Sequence, residues 1–255
     1  MAHYYTLNGE PQHTQLTAAG AKNETRPTTS ADARKKGLIP SVTEYLKLLH
    51  NHGLERYKLL NLAKVCYYRP FIRDETLEEW SGYVLEQSTQ DAGGAAELGT
   101  SIHDALEAHF GDRAYDPTYA PYVQPTALLM ASMGLKTGGA EMVLVNPEYG
   151  YAGTTDLVFR CDNGEHGIID FKSQRFKKNP NVYDTHVVQL AAYHMAFYGS
   201  IEESAVAYNI YLSTTNPGLV KERKYNADEL RNGWEEFLLL LALYRLKKKY
   251  DPRKL

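Results

Sequence analysis

The chain has 255 residues, of which 43% are hydrophobic, 23% charged and 11% aromatic, and its formal net charge is −3. That length suits one large domain or one domain with an appendage, and a compact fold would bury about 73% of the extended chain's surface. Two distant cysteines, Cys66 and Cys161, are too few for a disulfide framework, a four-cysteine zinc site or an iron–sulfur cluster.

Residues 1–38 are rich in Thr, Ala, Asn and Gln and read as a loosely ordered arm, with neither the basic start nor the apolar stretch of a secretory signal. Ser41 is a predicted N-cap with Glu44 three residues on, and Val42, Tyr45, Leu46 and Leu49 form the stripe of an amphipathic helix. Helical pattern continues over Leu54–Cys66 and Glu75–Gln87, and Asp91-Ala-Gly-Gly is expected to break it. A new helix capped by Thr100 or Ser101 should then run to about Phe110, with His103 in its first turn. Residues 39–98 are therefore expected to be a helical accessory region and residues 99–255 a core, together one compact unit.

After a helix over Tyr122–Met133 the pattern turns to strands at Glu141–Asn146, Ala152–Cys161 and Gly167–Ser173. A helix over Asp184–Tyr198 ends at Gly199. Strands at Ala205–Ser213 and Leu219–Tyr225 precede a last helix near Ala227–Tyr250. The longest apolar run, Phe237–Tyr244, is too short to span a membrane, so a cytoplasmic protein is expected.

Asp170-Phe171-Lys172 places a carboxylate and an amine on one face of a strand and Phe171 on the other. Register arithmetic extends this face. In an antiparallel hairpin the residue numbers of each pair have a constant sum. A turn centred between Glu148 and Tyr149 sets Glu141 opposite Asp156. A three-residue Asp162-Asn163-Gly164 loop, with Gly164 left-handed, pairs Cys161 with Glu165 and sets Asp156 opposite Asp170. A two-residue turn would slip the register by one and split the row. Three aligned carboxylates repel one another unless a cation neutralises them, and oxygen donors select Mg²⁺ or Mn²⁺ over zinc. A divalent ion beside a lysine suits phosphoryl chemistry. Two helical pairs add to the pattern: His103 with Glu107, and Gln189 with Tyr193, the latter beside His186.

The ordered set Gly99…His103, Glu141, Gly153-Thr154-Thr155-Asp156, Asp170-Phe171-Lys172 and Gln189…Tyr193 resembles the RecB-like branch of the PD-(D/E)XK nuclease superfamily. Ile39–Thr43 extends the likeness toward phage and bacterial relatives of the mitochondrial genome maintenance exonuclease. The resemblance implies a restriction-endonuclease-like α/β core: helix, three-stranded antiparallel meander, helix, and a further strand or hairpin. It implies one or two Mg²⁺ or Mn²⁺ ions, and no iron–sulfur cluster. Asp156, Asp170, the Phe171 carbonyl and His103 would be ligands, and Glu141 would bind directly or through water. Lys172 would be the catalytic lysine. Gln189, Tyr193 and His186 would brace the site or touch DNA, with Arg175, Lys177 and Lys178 on the phosphates. The expected activity is exonucleolytic hydrolysis at single-stranded DNA ends, in replication, recombination or repair. An endonuclease or nickase on the same core is the alternative, and a catalytically silent DNA-binding module is the rival from another class.

Overall fold

A computed structural model gives the architecture; it describes residues 3–17, 24–49, 52–72 and 74–254. In chain order the elements are β1 (Tyr4–Tyr5), β2 (Thr14–Leu16), β3 (Thr25–Pro27), α1 (Ser30–Lys36), β4 (Ile39–Pro40), α2 (Val42–Leu46), α3 (His52–Tyr68), α4 (Leu77–Phe110) and α5 (Ala120–Ser132). There follow β5 (Lys136–Asn146), β6 (Tyr151–Arg160), β7 (His166–Gln174), α6 (Asp184–Tyr198), β8 (Ala205–Ser213), β9 (Val220–Tyr225) and α7 (Ala227–Lys248). The protein is thus mixed α/β, and it divides into two units, Met1–Leu48 with His103–Leu255, and Leu49–Ile102.

The larger unit is built on a five-stranded sheet in the order β5-β6-β7-β8-β9. Strands β5, β6 and β7 form an antiparallel meander, α6 crosses over so that β8 runs parallel to β7, and β9 returns as a hairpin. Every residue of β8 is buried, as befits a central strand covered on both faces. Helices α6 and α7 pack together, α6 against β5–β8 and α7 against β8. Leu190, Ala191, Phe237 and Leu241 are almost fully buried there. At Gly233, a side chain would approach the Val187 carbonyl to 3.0 Å, so this glycine permits the close crossing of the two helices.

The predicted strand registers are present. Ala140 pairs with Leu157 and Met142 with Thr155, so Glu141 and Asp156 are opposite by count. Leu157 pairs with Ile169, which puts Asp156 and Asp170 next in step. The Asp162-Asn163-Gly164 loop has three residues, with Gly164 at φ +89° and the Cys161 N–H donating to the Glu165 carbonyl at 2.8 Å. Strand β5 starts earlier than its sequence suggests, because a bulge between Thr137 and Gly139 hides the alternation.

The expectation of a loose arm over residues 1–38 is corrected for its described part. Tyr4 pairs with Pro40 and Tyr5 with Ile39, and all four residues are buried in the larger unit. The arm's polar composition concealed these few apolar anchors. Thr29 and Asp32 form a reciprocal capping box on α1, and Gly37 ends that helix in the left-handed conformation. Ser41 caps α2 through the Glu44 N–H, as predicted, but α2 stops at Leu46.

Helix α4 also departs from the sequence-based expectation. Asp91-Ala-Gly-Gly does not interrupt it, and no helix begins at Thr100; the helix is continuous over Leu77–Phe110. A helical glycine costs about 1 kcal/mol against alanine, which neighbouring alanines and a long hydrogen-bonded ladder override. His103 therefore lies near the end of a long helix rather than in a first turn.

The smaller unit comprises α3 and α4 as far as Ile102. Its turn is held by a bidentate Arg69–Glu75 ion pair, by the Trp80 indole N–H donating to the Arg69 carbonyl, and by a Thr76–Glu79 capping box. The division places the start of the helical unit ten residues later than expected, at Leu49 rather than residue 39.

Candidate active site

Asp170 and Lys172 leave β7 on the same face, and the Lys172 ammonium lies 2.7 Å from Asp170 Oδ2. Lys172 also donates to Gln189 Oε1 at 3.0 Å, and Gln189 Nε2 lies 3.4 Å from the Tyr193 hydroxyl. The i, i+4 pair on α6 therefore reaches the strand face bearing the lysine. Phe171 points the other way and stacks on Phe110 of α4, with ring centroids 5.8 Å apart.

Asp156 of β6 accepts from the Phe171 backbone N–H at 2.6 Å through Oδ2. A side chain thus takes over from the backbone ladder where β6 and β7 separate. His103 Nδ1 stands 3.6 Å from the same Asp156 oxygen. Burial, and then the charge of Asp170, raise the Asp156 carboxyl above the usual carboxylate range, with His103 and Lys172 opposing the rise.

Glu141, on β5, has φ +47°, a left-handed conformation uncommon for a residue with a Cβ. Although Glu141 is exposed on the strand, desolvation of its carboxyl and then the charges of Asp156, Glu107 and Asp104 push it up to about 7. Strained backbone and crowded acids coincide here, a combination that clusters at functional sites.

His186 is buried, with Nδ1 2.8 Å from the Tyr211 hydroxyl, and burial followed by the nearby Lys172 lowers it to about 4. Its ring also meets that of Tyr183, and no hydrogen bond joins it to Asp170 or Lys172 among the described residues. Arg175, Lys177 and Lys178 are exposed on the loop after β7 and make no ion pair among the described residues. That loop is pinned by two Gln174–Asn181 hydrogen bonds of 3.0 Å and by Thr215, which donates to the Phe176 carbonyl. Three cations are thus carried on a fixed support beside the site.

Two further contributors lie outside the set predicted from sequence. Asn209 of β8 donates to Asp170 Oδ2 at 2.8 Å. Tyr5 of the N-terminal segment hydrogen-bonds the Thr154 hydroxyl at 3.1 Å, two residues from Asp156. A lone amide within the apolar run Ala205–Ser213 is a readable signal for Asn209; nothing in the sequence links Tyr5 to the sheet.

Among the described residues no three His, Cys, Asp or Glu side chains already form a metal shell. The donor chemistry nevertheless fits a hard cation. Neighbouring carboxylates with raised proton affinity carry charge that a divalent ion would neutralise, and His103 adds a nitrogen donor beside Asp156.

No family model matches the chain, and no curated protein does. Among solved structures it is similar to one described as the crystal structure of SSO0001, at 16% identity over 88% of each chain, with a TM-score of 0.32. A likeness that loose carries no argument about fold or function. No helix among the described residues is long and apolar enough to cross a membrane.

Proposed function

We propose that the protein is a Mg²⁺- or Mn²⁺-dependent deoxyribonuclease with a restriction-endonuclease-like core, acting as an exonuclease on single-stranded ends. The observation that carries this reading is the approach of Asp156, Asp170 and Lys172 on adjacent strands, with His103 against Asp156. A structural ion pair would explain Asp170 and Lys172 alone. It would not explain a second and a third carboxylate kept beside them with raised proton affinity.

In this reading Asp156, Asp170, His103 and the Phe171 carbonyl would hold the ion, and Glu141 would hold it or a water beside it. When bound, a divalent ion supplies Lewis-acid polarisation of the phosphate and makes water easier to deprotonate. Lys172 is fixed from two sides, by Asp170 and by Gln189, so its ammonium orients the attacking water or offsets charge developing on phosphorus. Water oxygen forms the new bond to phosphorus, the bond to the 3′ oxygen breaks, and that oxygen takes up a proton. The phosphate remains on the 5′ side. Arg175, Lys177 and Lys178 contact the backbone without reading sequence.

Digestion of end-labelled linear single strands, duplexes and circular single strands, with and without Mg²⁺ or Mn²⁺, tests the reading. Metal-dependent loss of linear single strands with circles intact is expected. Linearised circles would indicate an endonuclease. Binding without cleavage would indicate a silent DNA-binding module, and indifference to every polynucleotide would end the case.

A further inference from the structure

Asn209 stands in the middle of β8, a strand buried along its whole length, and is itself 0% exposed. An amide in such a place is costly unless it is hydrogen-bonded, whereas a leucine would pack there without penalty. The parallel register sets Asn209 beside Asp170. Its Nδ2 lies 2.8 Å from Asp170 Oδ2 and 3.4 Å from the Asp170 carbonyl, while its own Oδ1 has no partner among the described residues. Turning the amide over would set its oxygen against the carboxylate, so the donor must face Asp170. The amide's hydrogen bonds among the described residues therefore all go to one acid.

Lys172 Nζ reaches the same oxygen, Asp170 Oδ2, at 2.7 Å. Two donors from two different strands thus converge on Oδ2, and among the described residues none falls on Oδ1. A carboxylate on one methylene turns easily about its last bond. Fixing one oxygen from two directions sets the plane of the group and leaves the second oxygen free.

We propose that Asn209 is a positioning residue. With Lys172 it occupies Oδ2 of Asp170 and so presents Oδ1 as the oxygen that takes a divalent cation. This rests on the metal-dependent nuclease reading and adds a group that touches neither cation nor DNA. Partners of this kind alter metal affinity by about 10- to 100-fold when removed.

The test compares Asn209→Leu, Asn209→Ser and Asn209→Ala in the full chain. Mn²⁺ affinity is read by calorimetry without DNA, and melting temperature without metal. Serine keeps a hydroxyl donor and leaves room for a water; leucine fills the space and donates nothing. Leucine should melt at or above serine yet bind Mn²⁺ about 10- to 100-fold more weakly than the wild type, with serine between. The two orders then run in opposite directions, which a packing role would not produce. Mn²⁺ affinity that follows melting temperature, or that equals the wild type in Asn209→Leu, overturns the inference and leaves the nuclease reading standing. If the leucine variant does not fold, serine against alanine decides, and equal affinities overturn it. A wild-type chain that neither binds Mn²⁺ nor cuts DNA removes both.

Discussion

Tyr193 lies against the bare backbone of Gly153: a Cβ on that glycine would come within 2.7 Å of the ring and 3.1 Å of its hydroxyl oxygen. The glycine three residues before Asp156 is therefore bound to the tyrosine four residues after Gln189. Tyr193 meets Gln189, and Gln189 holds Lys172. Gly153→Ala should displace the ring, costing about 1–3 kcal/mol in stability, a typical overpacking penalty. For a chain of this size that is a fall of roughly 2–12 °C in melting temperature. Cleavage by the folded fraction should fall as well, because the lysine loses its second support. An alanine variant with wild-type melting and turnover would show that the contact positions nothing.

Lys172 and Asp170 should separate chemistry from metal binding. Lys172→Ala removes no proposed ligand and leaves Asn209 on Asp170 Oδ2, so the Mn²⁺-induced rise in melting temperature should shrink but persist. Turnover should drop by about 100-fold or more, the scale of losing one preorganised charge-stabilising group. Asp170→Asn should abolish the metal-induced rise itself. Full activity in Lys172→Ala would make the lysine structural, and an undiminished Mn²⁺ response in Asp170→Asn would remove that carboxylate from the site.

How much of this could be read in the chain depends on what fixes each element. The row formed by Glu141, Asp156 and Asp170 is legible because short turns set hairpin register, and Gly164 decides the length of its loop. Asn209 is not legible as a partner of Asp170, because a parallel pair is joined through α6 and no turn sets its register. The left-handed Glu141 is hidden for a different reason: the bulge before Gly139 shifts the count against β6 by one, but Glu141 lies on the hairpin side of it, where the turn-set register is kept and gives no sign of the backbone conformation. Tyr4 and Tyr5 join the core through pairing with Pro40 and Ile39, a link between distant parts of the chain that composition does not reveal. The glycines inside α4 mislead because propensity is weak against a long, continuous ladder.

The cationic loop gives a prediction independent of cleavage. If Arg175, Lys177 and Lys178 each neutralise one phosphate, replacing all three with alanine should weaken single-strand binding without sequence preference. The slope of log affinity against log salt should shrink by about 2, at roughly 0.7 for each phosphate no longer neutralised. Because the loop is pinned by Gln174, Asn181 and Thr215, melting temperature should barely move. Fluorescence anisotropy across a salt series, in a chain carrying Lys172→Ala to prevent digestion, measures this. An unchanged slope would place the strand elsewhere.

His194 sets a limit on acid stability away from the site. It is 0% exposed, no side chain among the described residues hydrogen-bonds its ring nitrogens, and its ring meets those of Tyr198 and His166. Burial, followed by His166, lowers its imidazole to about 4. The unfolded chain takes up a proton near pH 6.5, so between there and pH 4 it binds a proton that the folded chain refuses. The stability present above pH 6.5 is therefore lost as the pH falls, by on the order of 2 kcal/mol between pH 7 and pH 5. Asp156 and Glu141, whose carboxyls are raised, oppose this trend, so the difference between variants is the informative quantity. His194→Phe keeps a ring of similar size and removes the titration. Its melting temperature should fall less than that of the wild type over this interval, by roughly 4–8 °C. Equal acid sensitivity in the two proteins would assign the loss to other groups.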